Sequence, residues 1–263
     1  MSESVTTLMI GDIVGGVGLR ALLAYLPTLI AEHDPDLVIV NAENAADGSG
    51  TSPRQADELF AAGANVLTGG NHTLRRTAYH DMLRTNPRTL RPANVPQENA
   101  PGSGLVIVPT RAGPAAVINI QGAVFMEASA NPFSIIDDLV AQATRETRRI
   151  FVDFHAEATS EKVAMGQYLN GRVTAVAGTH THVQTADERV LSKGTAYITD
   201  LGMTGPHDSV IGVNTAVVVN RFLTGAPGRF APAEDDVRVQ GVIITCSGDG
   251  RATGITRVNH AYL

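Results

Sequence analysis

The chain has 263 residues, 43% of them hydrophobic and 17% charged, which is enough apolar sequence for a full core and too little charge for a disordered chain. Its 20 Lys and Arg against 26 Asp and Glu leave a formal charge of −6, and with no local Lys/Arg block this argues against a phosphate-neutralising surface and against strong non-specific nucleic-acid binding. The single Cys246 excludes an internal disulfide framework, a four-cysteine zinc site and an iron–sulfur cluster within one chain, so any metal must be held by His, Asp, Glu or Asn. The start of the chain lacks a basic n-region, and no apolar run approaches the roughly 20 residues of a membrane span. The expectation is a cytoplasmic protein without a membrane partner.

Short apolar, β-branched runs alternate with helical patterns along the chain. Strands are predicted at 6–10, 37–40, 65–68, 105–108, 115–120, 150–154, 173–177, 196–199 and 241–245. An amphipathic helix is predicted over 19–33, with Pro27 kinking it or marking a fresh start. Ser52-Pro53, Asn131-Pro132 and Asn214-Thr215 each read as a helix entry. Segments 105–120 and 237–258 turn through short glycine-containing loops, which cannot carry a parallel return, so the sheet is mixed. So many strands in one domain of 263 residues suggest two sheets packed face to face with helices outside, a single open sheet being the alternative.

The predicted strands end repeatedly in polar residues able to bind a metal. Asp12 follows the first strand, Glu43 and Asn44 the second, Asn71 and His72 the third, His155 the 150–154 run, and His180 and His182 the 173–177 run. The carboxyl ends of parallel strands share one edge of a sheet, where ligands bind. Taken singly, Asp12, Glu43 and Asn44 read equally well as turn residues, Asn71 as a helix cap and His155 as a core histidine. The His180/His182 pair, one residue apart, already points to a shared centre, and all of these donors at one edge are hard to explain otherwise.

Imidazole, carboxylate and carboxamide donors without thiolate suit manganese, iron, zinc or cobalt. The donor count exceeds what one catalytic ion needs, which implies two ions with an anionic carboxylate, Glu43, between them. His33, His80, His207 and His260 lie away from these strand exits and read as structural or exposed. Glu157 and Glu161 read as the start of the next helix, with an outer role around the metals as the alternative. Gly16-Val17-Gly18-Leu19-Arg20-Ala21 matches a dinucleotide-binding pattern, but Asp12 stands where pyrophosphate would lie. No phosphate-binding Gly-Lys loop and no serine nucleophile elbow are present.

Gly11-Asp12, Gly70-Asn71-His72, His155 and Gly178-Thr179-His180-Thr181-His182 resemble, in that order, the signature of calcineurin-like dinuclear metallophosphoesterases. Two departures from the commoner members, Asp12-Ile13-Val14 and Asn41-Ala42-Glu43-Asn44, resemble the YmdB-type branch of that superfamily. So do Arg91-Pro92-Ala93-Asn94, 153–162 (DFHAEATSEK), 179–187 (THTHVQTAD) and Met203-Thr204-Gly205-Pro206.

The resemblance implies an α/β fold, a four-layer αββα sandwich with mixed sheets, formed as one metallophosphoesterase domain over residues 1–263. It implies one metal held by Asp12, Glu43, Asn44 and His182 and another by Glu43, Asn71, His155 and His180, with iron or manganese favoured and zinc or cobalt as alternatives. It further implies a phosphodiesterase acting on cyclic nucleotides such as 2′,3′-cyclic AMP. The expected chemistry is attack by a metal-bridging hydroxide while His72, next to a ligand, protonates the leaving oxygen. The competing readings are a metal-stabilised regulatory protein without physiological turnover and a phosphomonoesterase of the same fold. The expected partner is a small phosphodiester or nucleotide, and a homo-oligomer is expected from fold habit alone.

Overall fold

The computed structural model describes residues 4–95, 100–126, 130–226, 228 and 231–262. Residues 1–3, on which the reading of the chain start partly rests, lie outside them. The first sheet contains β1 (Val5–Ile10), β2 (Asp12–Ile13), β3 (Leu37–Asn41), β4 (Val66–Thr68), β11 (Met203–Pro206), β12 (Val237–Cys246) and β13 (Ala252–Ala261). Its order is β2-β11-β12-β1-β3-β4, with β13 paired to β12. The second contains β5 (Leu105–Thr110), β6 (Gly113–Gln121), β7 (Ile150–His155), β8 (Ala175–Thr179), β9 (Arg189–Val190) and β10 (Ala196–Ile198), in the order β5-β6-β7-β8-β10-β9. The helices are α1 (Gly15–His33), α2 (Pro53–Ala61), α3 (His80–Thr85), α4 (Pro132–Thr144), α5 (Thr159–Tyr168) and α6 (Thr215–Thr224).

The central strands β1, β3, β6, β7 and β8 are largely buried on both faces, and alternate residues feed different cores. On β1 and β3, Leu8, Ile10, Val38 and Val40 pack with Leu22, Leu26 and Leu29 of α1 and Leu59 of α2. Their neighbours Met9, Leu37 and Ile39 meet Val117, Phe151 and Ala177 of the other sheet. On β6 and β7, Ile118, Ile120, Val152 and Phe154 face Ile136 and Val140 of α4 and Met165 of α5. Helix, sheet, sheet and helix therefore form the four layers, with an apolar core between each adjacent pair.

β1, β3 and β4 run parallel in one sheet, as do β6, β7, β8 and β10 in the other. β5 with β6 and β12 with β13 form the two anticipated antiparallel hairpins, and the short β9 and β10 form a third. All three anticipated helix entries form. Ser52 makes a reciprocal capping box with Gln55, Asn131 accepts from the Phe133 amide, and Asn214 accepts from the Ala216 and Val217 amides.

Several details differ from the sequence reading: strands β2, β9 and β11 and helix α3 are unanticipated, and α1 and β8 are placed differently. Helix α1 begins at Gly15 rather than residue 19 and runs unbroken through Pro27. Pro27 is on the exposed side, where water can serve the Leu23 carbonyl that loses its donor. The glycine-rich stretch is thus helical, and a Cβ on Gly18 would lie 2.1 Å from the Thr204 carbonyl oxygen, so this glycine lets helix and strand close up. The strand placed at 173–177 instead spans Ala175–Thr179, because pairing with β7 joins Phe151 to Ala175 and His155 to Thr179.

Candidate metal centre

The carboxyl ends of the parallel strands from both sheets meet, and they bring every residue singled out at a strand exit to one place. Asp12 lies beyond β1, Glu43 and Asn44 beyond β3, Asn71 and His72 beyond β4, His155 at the end of β7, and His180 and His182 beyond β8. Asp12, Glu43, Asn44 and His155 are buried, while Asn71, His72, His180 and His182 are half-buried.

One set of donors gathers around His155 Nε2. Asn71 Oδ1 lies 3.1 Å from it, His180 Nδ1 3.1 Å and Glu43 Oε1 3.4 Å. A second set extends from the other side of Glu43, whose Oε1 accepts from Asn44 Nδ2 at 2.8 Å while that same amide lies 3.3 Å from His182 Nε2. Ligation through Asn44 Oδ1, which now sits 2.5 Å from His72 Nδ1, requires the amide to turn over. Asp12 joins the sets, with Oδ2 accepting from the His180 amide at 3.0 Å and Oδ1 3.8 Å from His155. Gly70 makes the close approach possible, since a Cβ there would lie 2.2 Å from His155 Nε2 and 2.4 Å from Glu43 Oε2.

The donor set fits a cation. Asp12 Oδ1 is buried without a hydrogen-bond partner, a costly state for a carboxylate unless something positive faces it. Donor atoms of Glu43, His155 and His180 lie within 4.8 Å of one another. Each histidine also has its outward nitrogen occupied, which leaves the inward one as the lone-pair donor. His155 Nδ1 contacts Thr179 Oγ1 at 2.9 Å, His182 Nδ1 donates to the Ile211 carbonyl at 2.9 Å, and His180 Nε2 lies 3.1 Å from Glu157.

The electrostatics follow from the crowding. Burial raises Asp12 to about 6. Burial also pushes Glu43 upward, but His155 and His72 outweigh it and hold this carboxyl well below the usual range. Burial opposes charge on His155, yet Glu43, Asp12 and Asp153 raise it to about 9, whereas burial and the charge on His155 lower His180 to about 3.

Several supporting residues escaped the sequence reading. Asp153, buried in the middle of β7, accepts from Thr179 at 2.7 Å, Thr68 at 2.5 Å and Asn41 at 3.0 Å, tying the two sheets together beneath the site. A carboxylate inside an apolar strand was the available signal. Lys162 and Asp200, both buried, pair at 2.6 Å, and Asp200 Oδ2 also accepts from the Thr181 hydroxyl at 2.6 Å and its amide at 3.2 Å. Glu157 precedes α5 instead of opening it and faces His180, while Glu161 is in the first turn and accepts from the Ala123 amide at 2.9 Å. His80 binds the Leu74 carbonyl, His207 the Gly205 carbonyl and His260 the Tyr25 hydroxyl, and His33 lies beside Glu32.

The model of the YmdB-like protein family matches residues 8–258. This chain belongs to the YmdB-like family. It is 46% identical over 237 residues to the 2′,3′-cyclic-nucleotide 2′-phosphodiesterase of Bacillus subtilis (strain 168), covering 90% of this chain and 89% of that protein. Among solved structures, a novel phosphatase from Mycoplasma pneumoniae superposes with a TM-score of 0.93 at 32% identity, over 99% of this chain and 95% of that one. A hypothetical protein from Thermus thermophilus gives 0.92 at 36% identity, over 98% and 100%. The YmdB-like fold thus accounts for both sheets and for the strand ends that build the centre.

Proposed function

We propose that the chain is a metal-dependent phosphodiesterase that opens the ring of 2′,3′-cyclic nucleotides. The observation that carries this reading is the convergence of Asp12, Glu43, His155 and His180, with a buried Asp12 oxygen that has no hydrogen-bond partner. The name of the Bacillus relative supports the substrate class. Asp12, Glu43, Asn44 and His182 would hold one cation and Glu43, Asn71, His155 and His180 the other, with iron or manganese as the favoured metals. When bound, the cations would polarise phosphoryl oxygens and lower the pKa of a coordinated water.

The chain's own residues do the rest. His72 stands beside the donors without being one, its amide donating to Glu43 Oε2 at 3.0 Å, so its ring reaches the substrate while its backbone is anchored. As the water oxygen bonds to phosphorus and the bond to O2′ breaks, a proton from His72 neutralises O2′ and leaves a 3′-monophosphate. The same reading takes residues 1–263 as one metallophosphoesterase domain acting in the cytoplasm.

The test is Glu43→Gln, assayed with added Mn²⁺ against 2′,3′-cyclic AMP and bis-p-nitrophenyl phosphate. Loss of bound metal and of both activities is expected. Unchanged hydrolysis would rule out the shared-carboxylate role, and two bound metal equivalents in native protein that hydrolyses no phosphoester would favour a binding protein.

A further inference from the structure

The donor cluster opens into a cavity of about 630 Å³, large enough for a nucleotide, whose lining also includes an aliphatic patch of Val14, Ile211, Val213 and Pro232. The unusual member is Ile211. Val210 and Val213 exchange backbone hydrogen bonds of 2.9 and 3.0 Å across Ile211-Gly212, closing a two-residue turn. Both central residues have positive φ, 47° at Ile211 and 97° at Gly212. Such a turn selects Asn, Asp or Gly at its first position, and a β-branched residue there is strained.

Packing does not account for the isoleucine, because it is 50% exposed. The fold would be better served by Asn or Gly, and strain that the scaffold does not need points to a ligand. The Ile211 carbonyl, moreover, accepts from His182 Nδ1 at 2.9 Å, so the residue that presents this apolar side chain to the cavity also orients a donor of the metal centre. One backbone group thereby ties the apolar patch to the donor cluster.

We infer that Ile211, backed by Val14, Val213 and Pro232, is the seat for the nucleobase, an aliphatic platform on which a purine lies while the cyclic phosphate reaches the donor cluster. The inference rests on the phosphodiesterase reading and adds the part of the substrate that sets specificity. A purine covers more of such a platform than a pyrimidine, so 2′,3′-cyclic AMP is preferred over 2′,3′-cyclic CMP, and both over ribose 2′,3′-cyclic phosphate, which has no base.

The test compares kcat/KM for these three compounds in native protein and in Ile211→Gly and Ile211→Asn, each metal-loaded and checked by elemental analysis so that loss of the base contact is separated from loss of metal through His182. Both substitutions keep the carbonyl and suit the turn. The advantage of cyclic AMP over the base-free compound is expected to fall about fivefold to tenfold, mainly through KM, while the melting temperature rises or holds. An unchanged ratio overturns the seat, as does a change confined to oligomeric state. If native protein hydrolyses none of the three, the phosphodiesterase reading fails, and calorimetric binding of 3′-AMP against ribose 3-phosphate in the same proteins still decides whether the base lies on Ile211.

Discussion

At the scale of single residues, the chemistry is governed by which nitrogen of each histidine is left free. Thr179 accepts from the outward nitrogen of His155 and donates its hydroxyl to Asp153, so imidazole, hydroxyl and carboxylate form a chain that holds the ring toward the centre. Removing an outer partner of this kind typically weakens metal affinity about 10- to 100-fold, which is the expected effect of Thr179→Val on the Mn²⁺ dissociation constant measured by calorimetry. His72 differs in having no place in either donor set. His72→Ala is expected to lower kcat about 10²- to 10⁴-fold while metal content stays at the native value. Position in the sequence nominated the candidate donors, because each lies at or soon after the end of an apolar run, and the family resemblance divided them into two sets. It could not reveal Thr179 or Asp153, whose importance lies in contacts between strands.

At the scale of elements, the turn after β8 is under strain. His180 and His182 have φ values of 95° and 63°, a region that non-glycine residues enter only when their surroundings hold them there. Thr181 between them is held by the Lys162–Asp200 pair, which lies under the turn. Lys162→Met leaves Asp200 as an unpaired buried charge and is expected to cost about 3–5 kcal/mol in urea denaturation. A second carboxylate braces the strand leading into this region from the other side. Asp187 accepts from Thr185 at 2.7 Å and from the Thr199 hydroxyl at 2.5 Å. Burial raises its carboxyl, but these hydrogen bonds outweigh it and hold the pKa below the ordinary 3.8. A depressed folded-state pKa stabilises above the unfolded value and is lost as pH falls through the folded one. The difference in melting temperature between native protein and Asp187→Asn is therefore expected at about pH 6 and should close below about pH 3.8.

For the molecule as a whole, the decisive feature is the core between the sheets. It fixes how far apart the two parallel strand edges stand, and hence whether donors from β1, β3 and β4 can meet those from β7 and β8. Phe151 is fully buried there against Met9, Val117 and Ala177. Phe151→Ala is expected to destabilise by about 3–5 kcal/mol, and because the cavity loosens the packing that sets the spacing of the sheets, Mn²⁺ affinity should weaken as well. Native affinity in this variant would show that the sheets hold their spacing without the inter-sheet core.

Composition, strand ends and ordered motifs were sufficient to determine the mixed α/β layering and the helix caps and to nominate the candidate donor side chains that the fold brings together, since these depend on local periodicity and on residue type at the ends of apolar runs. The sequence also marked Glu43 as the carboxylate expected to lie between two cations. Only the tertiary structure decided that Asp153 and Asn41 join the two sheets, that Lys162 and Asp200 lie under the His180–His182 turn, and that the Ile211 carbonyl orients a metal donor. Each of these depends on contacts between segments tens of residues or more apart, and no local pattern records which distant backbone will arrive beside a given side chain.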